Sequence, residues 1–425
     1  MPSICFYFQV HQPYRLQEIS FFEIGKNPNY FDPRDLSTDN KAILEKVSNK
    51  CYLPTNKLLL EMLEAHPNFM FSFSISGVFL EQIQTWAPEV LKSFQDLAAT
   101  GRVEFISETY YHSLSFLYSK GEFLFQVNKH RDLIKKLFNL ETTTFRNTEL
   151  IYSNELGQYL DYLGFKTVLT ESVDSIMDWR SPNFIYSVPG AKNNIKLLLK
   201  NYKLSDDIAF RFSNKGWGDF PLTTEKFAGW INEIKDGSEI INLFMDFETF
   251  GEHQWRETGI FNFLKALPGA IFSIGSDFIT PAKASQKFTQ RGEISIPNYI
   301  SWADSERDLS AWKSNEMQVD ALDQVYQLEN DILQTKDINL IDSWRKMTTS
   351  DHFYYMCTKF WADGDVHKYF SPYNSPYEAY ITFMNCLKDL KVEIKRNQLK
   401  KAELELETQF ALQIPKIIDE KILVT

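Results

Sequence analysis

The sequence predicts a parallel α/β barrel followed by a helical region, and three observations lead to this fold class. Apolar runs rich in strand-forming residues alternate with stretches of helical spacing over the first 300 or so residues. Polar motifs directly follow several of these strands, which is where a parallel barrel places its functional side chains. Beyond about residue 310 the strand signal fades and helical patterns remain.

The elements can be placed in chain order from periodicity and from their polar boundaries. Predicted strands cover 4–10, 69–75, 103–106, 142–145, 164–171, 195–199, 239–245 and 270–273. Predicted helices cover 54–66, 89–99, 123–138, 320–333, 340–359, 376–396 and 398–413, and 16–50 is predicted to be a long loop. We therefore expect a barrel domain over 1–300 and a helical domain over 301–425 that packs on the barrel and contributes to the active-site cleft.

Composition limits the classes of ligand. The 425 residues suffice for two or three domains, and 44% hydrophobic content is typical of a folded protein. A formal charge of -11 argues against nucleic acid or an anionic membrane as a partner. An acidic chain with 35 Phe and 20 Tyr suits a neutral ligand with flat faces, such as a sugar.

Cysteine usage and the lack of export signals indicate a cytoplasmic protein. The four cysteines are scattered without a CxxC pair, so we expect reduced, buried thiols and neither a disulfide framework nor a zinc site. The sequence contains no basic region followed by an apolar core, so we predict no signal peptide. No apolar run reaches the roughly 20 residues that span a bilayer.

The most informative stretch runs from residue 240 to residue 254. A buried strand ends there in Asp246 and Glu248, which alternate strand geometry would place on the same side. Gly251 then allows a turn that keeps Glu252 and His253 close. Buried carboxyl groups are costly unless they are paired, bind metal or take part in chemistry, so we expect a functional site here.

A second carboxyl group, that of Glu149, follows another predicted strand. Cleavage of a glycosidic bond requires two carboxyl groups across a cleft, one that attacks or stabilises the anomeric carbon and one that protonates the leaving oxygen. Glu149 and Asp246 fit this requirement. The alternative is a pair of structural ion pairs, with Arg146 as the partner of Glu149.

Other chemistries have less support. His11, His112, His253, Asp246 and Glu248 are of ligand type for zinc or manganese, but no HxxxH or HExxH spacing is present. The chain also lacks GxSxG, GxGxxG and Walker A motifs, which argues against a serine hydrolase and against nucleotide cofactors. We therefore predict no metal and no cofactor.

The run from Trp302 to Trp312 alternates charged and aromatic residues. An aspartate in it could accept hydrogen bonds from sugar hydroxyl groups while tryptophan covers the apolar face of the ring. The run is too dense in both residue types for an ordinary solvated surface.

Taken together, these motifs resemble glycoside hydrolase family 57, in its α-amylase-type branch. The resemblance rests on five segments in the family's order, and the later 350–356 and 371–373 also look like this branch. The five segments are His11-Gln12-Pro13, Gly101 to Phe105, Phe145 to Tyr152, Asp246 to His253, and Trp302 to Trp312.

The resemblance implies an incomplete (β/α)7 barrel of TIM-like type followed by a C-terminal α-helical domain. It further implies a retaining enzyme that acts on α-1,4-glucans through a covalent glycosyl-enzyme intermediate, without a catalytic metal. By match of motif, Glu149 would be the nucleophile and Asp246 the general acid/base. The residues expected to bind substrate are His11, Glu104, His112, Glu248, His253, Trp302 and Asp308.

Three alternatives stay open at this point. A 4-α-glucanotransferase would use the same site and differ only in whether a sugar hydroxyl or water meets the intermediate. A catalytically inactive homologue would bind glucan without turnover, and a metal-dependent deacetylase or mannosidase would use a related barrel. The expected partner is an α-glucan or maltodextrin, and homo-oligomer formation is left open.

Overall fold

A ring of parallel strands forms the centre of the first part of the chain. The computed structural model describes residues 1–32, 34–359 and 366–422, with the backbone alone for residue 366 and for residues 410–422. The strands in these ranges are β1 (Ser3–Val10), β2 (Phe71–Ile75), β3 (Val103–Ile106), β4 (Thr144–Arg146), β5 (Thr167–Thr170), β6 (Ile185–Ser187), β7 (Lys196–Leu199), β8 (Ile240–Asp246) and β9 (Asp277–Phe278).

Two sheets make up the ring. One has the order β3-β2-β1-β8, with β9 beside the start of β1, and the other has the order β4-β5-β7-β6. A parallel bridge between Ser107 and Phe145 joins the sheets on one side. On the other side, the N–H of Asn201 donates to the carbonyl oxygen of Asn242 at 2.8 Å. The predicted incomplete (β/α)7 barrel is confirmed, with β6 as a short antiparallel addition.

Helices follow or flank most of the strands, and the chain ends in a helical region. The α-helices of the barrel part are α1 (Asn40–Val47), α2 (Leu53–Ala65), α3 (Gly77–Trp86), α4 (Pro88–Ala99), α5 (Lys120–Phe138), α6 (Asn154–Tyr162), α7 (Asp174–Met177), α8 (Tyr202–Ala209), α9 (Thr224–Glu233), α10 (Ile260–Ser273), α11 (Pro281–Lys287) and α12 (Ser310–Lys313). The remaining helices are α13 (Glu316–Gln327), α14 (Glu329–Thr335), α15 (Ile338–Met347), α16 (Ser350–Tyr354), α17 (Val366–Phe370) and α18 (Pro376–Ile422).

Strand β1 is buried along its whole length because it lies between β2 and β8 and is covered on both faces. Its register pairs Gln9 with Ser74 of β2 and with Asp246 of β8. Since parallel strands end at the same edge, this register brings the carboxyl ends of three strands to one level. The polar residues that follow them therefore meet at one mouth of the barrel.

The two faces of β1 supply two different cores. Phe6 and Phe8 point to the apolar cluster beneath the helices, where Phe8 contacts four other phenylalanine rings at centroid distances of 5.3–5.9 Å. Cys5 and Tyr7 belong to the cluster inside the barrel. The high phenylalanine content is thus accounted for largely by packing under the helices.

The chain divides into two compact units, and their bounds differ from the simple division at residue 300 that we expected. The barrel unit comprises residues 1–14, 39–314 and 349–351, and the helical unit comprises residues 15–38, 315–348 and 352–425. Within the helical unit, the indole N–H of buried Trp344 donates to the carbonyl oxygen of Val325 at 2.8 Å. Buried Asp389 on α18 accepts from the hydroxyl of Tyr30 at 2.8 Å, which ties segment 15–38 to this unit.

Two predicted elements are of the wrong type, and the bounds of others differ: the predicted helix 340–359 is divided into α15 and α16, and the predicted helices 376–396 and 398–413 belong to the single helix α18. The run 270–273 was expected to be a strand, but it is the last turn of α10, whose buried residues Ile260, Leu264, Leu267 and Ile271 recur with helical spacing. A four-residue apolar run carries no period of its own, which explains the error. The segment 16–50 was expected to be a loop, and it contains α1, capped by Asp39.

Replacement of Phe8 by alanine should lower the free energy of unfolding by about 3–5 kcal/mol, because it opens a cavity among four aromatic rings. Denaturant titration of both proteins measures the difference. Phe8→Leu serves as the control and should cost markedly less, since it keeps most of the buried volume. A loss below about 1 kcal/mol for the alanine variant would contradict this description of the core.

Candidate active site

Glu149 lies just beyond β4 in a strained backbone conformation. It has φ +57° and Leu150 has φ +51°, both in the left-handed region that non-glycine residues seldom adopt. The side chain is partly exposed, and both carboxylate oxygens accept hydrogen bonds. Nε2 of His112 meets Oε1 at 3.1 Å, and the indole N–H of Trp302 donates to Oε2 at 2.7 Å.

Trp302 reaches Glu149 because the chain before it is paired with the chain after Glu149. Tyr152 and Ile300 exchange two backbone hydrogen bonds of 2.9 Å each. The backbone N–H of Trp302 also donates to the carbonyl oxygen of Glu149 at 3.2 Å. Backbone pairing thus fixes the indole against the carboxylate.

His112 is held between two carboxylates. Nδ1 meets Oε2 of fully buried Glu108 at 2.9 Å, opposite the contact with Glu149. Burial alone would lower the pKa of His112, but the hydrogen bonds and charges of Glu108 and Glu149 raise it to about 9. Burial likewise opposes ionisation of Glu149, yet the hydrogen bond and charge of His112 keep the pKa of Glu149 below its usual value. Glu149 is therefore an anion at neutral pH.

His11 stacks on His112, with ring centroids 4.0 Å apart and an angle of 21° between the planes. Its Nδ1 meets the hydroxyl of Ser76 at 2.7 Å, and its Nε2 meets Oδ2 of Asp351 at 3.0 Å. Burial and the neighbouring His112 lower the pKa of His11. Asp351 is carried by residues 349–351, whose backbone is bonded to the loop that contains His112.

Asp246 and Glu248 lie at the end of β8 and differ from Glu149 in protonation. Burial and the charge of Glu149 raise the pKa of Asp246 to about 6. Burial and the charge of Asp246 raise the pKa of Glu248 to about 8, although the hydroxyl of Tyr52 donates to it at 2.6 Å. Glu149 is thus ionised at neutral pH, whereas Asp246 keeps its proton up to about pH 6 and Glu248 up to about pH 8.

The turn after β8 packs closely against the π-helical segment Ser48–Tyr52. Gly251 has φ +117°, and a Cβ atom at this position would collide with the carbonyl oxygen of Lys50. The thiol of Cys51 donates to the carbonyl oxygen of Phe247 at 3.3 Å. This close approach, which only glycine permits, seats Tyr52 against Glu248.

Two buried cations flank the indole of Trp302. The guanidinium carbon of Arg146 lies 4.8 Å from the ring centroid, and Nζ of Lys200 lies 5.4 Å from it. Lys200 pairs with Glu171 at 3.3 Å. Arg146 is fully buried, and in the described part of the chain its nitrogens have no hydrogen-bond acceptor, so the ion pair with Glu149 that we considered as an alternative is not formed.

The predicted site residues fall into two groups. The structure brings together His11, His112, Glu149, Asp246, Glu248 and Trp302 at the barrel mouth. Glu104 belongs to the second group. It lies on β3 two residues before Ile106, which pairs with Ser74, and is therefore nearer the amino end of the strand. Its oxygens accept from the hydroxyl of Thr144 at 2.5 Å and from the N–H of Ala282 at 2.9 Å.

The other two predicted binding residues lie in turns. Exposed Asp308 accepts from the N–H of Ser310 at 2.8 Å, ahead of α12. His253 follows Glu252 in the turn after β8, and burial lowers its pKa to about 4, so its imidazole is neutral at pH 7. Roles in substrate binding for Glu104, His253 and Asp308 stay predictions.

Sequence reasoning missed four residues of the site: Tyr52, Ser76, Glu108 and Asp351. Glu108 gave a signal, since it follows a predicted strand and lies four residues before His112. Asp351 lies in a segment that resembles the family but is 340 positions from His11, so no local pattern connects them.

Within residues 1–32, 34–359 and 366–422, no group of three or more His, Cys, Asp or Glu could hold a metal ion. No helix in these ranges is long and apolar enough to cross a bilayer.

Comparison with known proteins shows the family of this chain. A family model described as glycosyl hydrolase family 57 matches residues 5–297. A protein of Methanocaldococcus jannaschii with the name "Putative alpha-amylase" is 41% identical over 415 residues, which are 95% of this chain and 86% of that protein.

Solved structures agree on the fold. A GH57-type branching enzyme from Pyrococcus horikoshii superposes with a TM-score of 0.64 at 15% identity, over 84% of this chain and 86% of that one. A 4-alpha-glucanotransferase from Thermococcus litoralis gives 0.59 at 19% identity, over 83% of this chain. This chain spans 56% of the glucanotransferase's length. On the family match and the M. jannaschii relative together, the chain is a glycoside hydrolase that belongs to family 57.

Proposed function

We propose that this chain hydrolyses α-1,4-glucans as an α-amylase-type enzyme and retains the anomeric configuration by double displacement. The observation that carries the proposal is that the pKa values of two neighbouring carboxyl groups, those of Glu149 and Asp246, are shifted in opposite directions. Glu149 is ionised beside His112, while Asp246 has its pKa raised to about 6 by burial and by the charge of Glu149. A nucleophile and a general acid require this difference.

In the first step an oxygen of Glu149 forms a bond to the anomeric carbon as the bond to the leaving oxygen breaks. Asp246 transfers its proton to that oxygen, which departs as a hydroxyl group. In the second step Asp246 takes a proton from water, the water oxygen attacks the anomeric carbon, and Glu149 leaves as a carboxylate. Two inversions return the original configuration.

The contacts around Glu149 suit this role. His112 and Trp302 bind different oxygens, so whichever oxygen attacks, the other keeps a hydrogen-bond donor in the covalent ester. Trp302 is also held by backbone pairing and by two cations, which keeps its position when substrate binds. His11 and Glu248 at the same mouth are proposed to bind sugar hydroxyl groups.

The substrate class rests on relatives. The M. jannaschii relative carries the name of an alpha-amylase, and the similar solved structures include a glucanotransferase and a branching enzyme. A 4-α-glucanotransferase is the second candidate, because a protein of that activity shares the fold and the same intermediate would serve it. An inactive glucan-binding homologue is disfavoured by the retained pair of carboxyl groups.

Replacement of Glu149 by glutamine should reduce turnover of maltoheptaose by at least about 10⁴-fold, because the amide is not a nucleophile. Products are resolved by length with and without added glucose, for both proteins. Shorter products alone from the unaltered enzyme indicate hydrolysis, and longer products indicate transfer. Full activity in the variant would remove Glu149 from the nucleophile role, and no products from either protein would favour the inactive homologue.

Replacement of Asp246 by asparagine should abolish cleavage of maltoheptaose but preserve part of the first step on aryl glycosides with good leaving groups, which need no protonation. In the unaltered enzyme, kcat/KM should fall as pH rises above about 6, because Asp246 then loses its proton. The variant should lack that decline when tested on the activated substrate. Equal losses on both substrates would argue against the acid/base role.

A further inference from the structure

Glu108 is a buried carboxylate that the mechanism above does not use. It follows β3, is 0% exposed, and has His112 on one oxygen. Its other oxygen lies 2.9 Å from the hydroxyl of Ser74 and 3.3 Å from Nε2 of Gln9. A buried carboxylate with this many donors and no role in substrate contact requires an explanation.

One arrangement of protons gives each of these donors an acceptor. The hydroxyl of Tyr7 donates to Oε1 of Gln9 at 2.8 Å. The hydroxyl of Ser74 lies 2.6 Å from Oε1 of Gln9 and 2.9 Å from Oε1 of Glu108, and it can donate to either oxygen. The amide of Gln9 donates to Oε1 of Glu108, and Oε2 accepts from His112. Donors on both oxygens favour the ionised form of Glu108.

His112 links the hydrogen bonds of Glu108 to those of Glu149. Because Glu108 and Glu149 both act as acceptors, His112 can serve both only if it donates from both nitrogens, as an imidazolium does. A neutral His112 would need a proton on Glu108 or on Glu149, and the indole of Trp302, which donates to Oε2 of Glu149, favours the ionised form of that carboxylate. We propose that Glu108 is a positioning residue that holds His112 as an imidazolium, whose second N–H fixes and charges the nucleophile Glu149. This proposal rests on the proposed function of Glu149.

The charges around His112 support this assignment. The ring of His11 stacks on the ring of His112 and is hydrogen-bonded to Asp351. Because the pKa of His11 is lowered, His11 is the neutral ring of this pair. Burial opposes the ionised form of Glu108, but the hydrogen bond and charge of His112 bring the pKa of Glu108 to about 2.

Three other titratable or charged groups act on the hydrogen-bonded network of Glu108, His112 and Glu149. The backbone N–H of Glu108 lies 3.4 Å from Nδ1 of His130, whose pKa is lowered by burial. Arg146 favours ionisation of both Glu108 and Glu149. The charge of Asp246 is coupled to that of Glu149. None of these groups supplies the hydrogen bond to Nδ1 of His112 that Glu108 supplies.

Glu108→Gln keeps the shape of the side chain and removes its charge. We expect kcat/KM on maltoheptaose to fall about tenfold near pH 5 and its acidic limb to move up by about one pH unit, because Glu149 then binds a proton more readily. Glu108→Asp should restore much of the profile, since it restores the charge. Glu239→Gln, which removes a carboxylate at the opposite end of β8, is the matched control and should leave the profile unchanged.

A second measurement does not depend on activity. Two-bond ¹H–¹⁵N spectra of the ¹⁵N-histidine-labelled full chain report the charge of each imidazole, and loss of a signal in His112→Gln assigns His112. We expect His112 to be an imidazolium at pH 7.5 and, in folded Glu108→Gln, to be neutral there.

A neutral His112 in the unaltered protein at pH 7.5 would overturn the proposal, as would an unchanged imidazolium and pH profile in folded Glu108→Gln. These outcomes are distinct from failure of the proposed function. If no α-glucan were cleaved, the charge of His112 and its dependence on Glu108 would still be decided by the spectra.

Discussion

The hydrogen bond between His112 and Glu149 is the interaction on which the chemistry of this site depends. It joins a fully buried network, which runs from Tyr7 and Gln9 through the ionised Glu108, to the carboxylate of Glu149, which also stays ionised. Without it, burial would favour a proton on Glu149, and the charge that raises the pKa of Asp246 would disappear. The difference in pKa that the proposed mechanism requires thus originates one layer below the residues proposed to meet substrate.

The barrel makes this possible through strand register. Gln9, Ser74 and Asp246 lie level on three neighbouring strands, so residues that follow the strands converge. The outward faces of the same strands carry phenylalanines that pack under the helices and hold the register. A one-residue slip would exchange the two faces and bury phenylalanine where the polar network stands. Fold stability and site geometry therefore depend on the same pairing.

The sequence was sufficient for β1 to β5, β7 and β8 and for the places of Glu149 and Asp246 at the ends of two of them, because strands buried on both faces are continuous apolar runs and their polar ends are conspicuous. It missed the short strands β6 and β9. It was not sufficient for contacts made through irregular backbone. His112 and Glu149 have positive φ angles that nothing in their residue types indicates. Asp351 is 340 positions from its hydrogen-bond partner His11. Glu104 and Glu108 lie on one segment, and only the structure shows that Glu108 is the one bonded to His112.

The central claim is that Glu149 attacks as a carboxylate, and covalent trapping tests it most directly. A fluorinated α-glucosyl fluoride that forms the glycosyl-enzyme faster than water releases it should add one sugar per chain. Peptide mass analysis of the digested protein should then locate that sugar on Glu149. A sugar on Asp246 or Glu248, or turnover of the reagent with inversion and no adduct, would contradict the account.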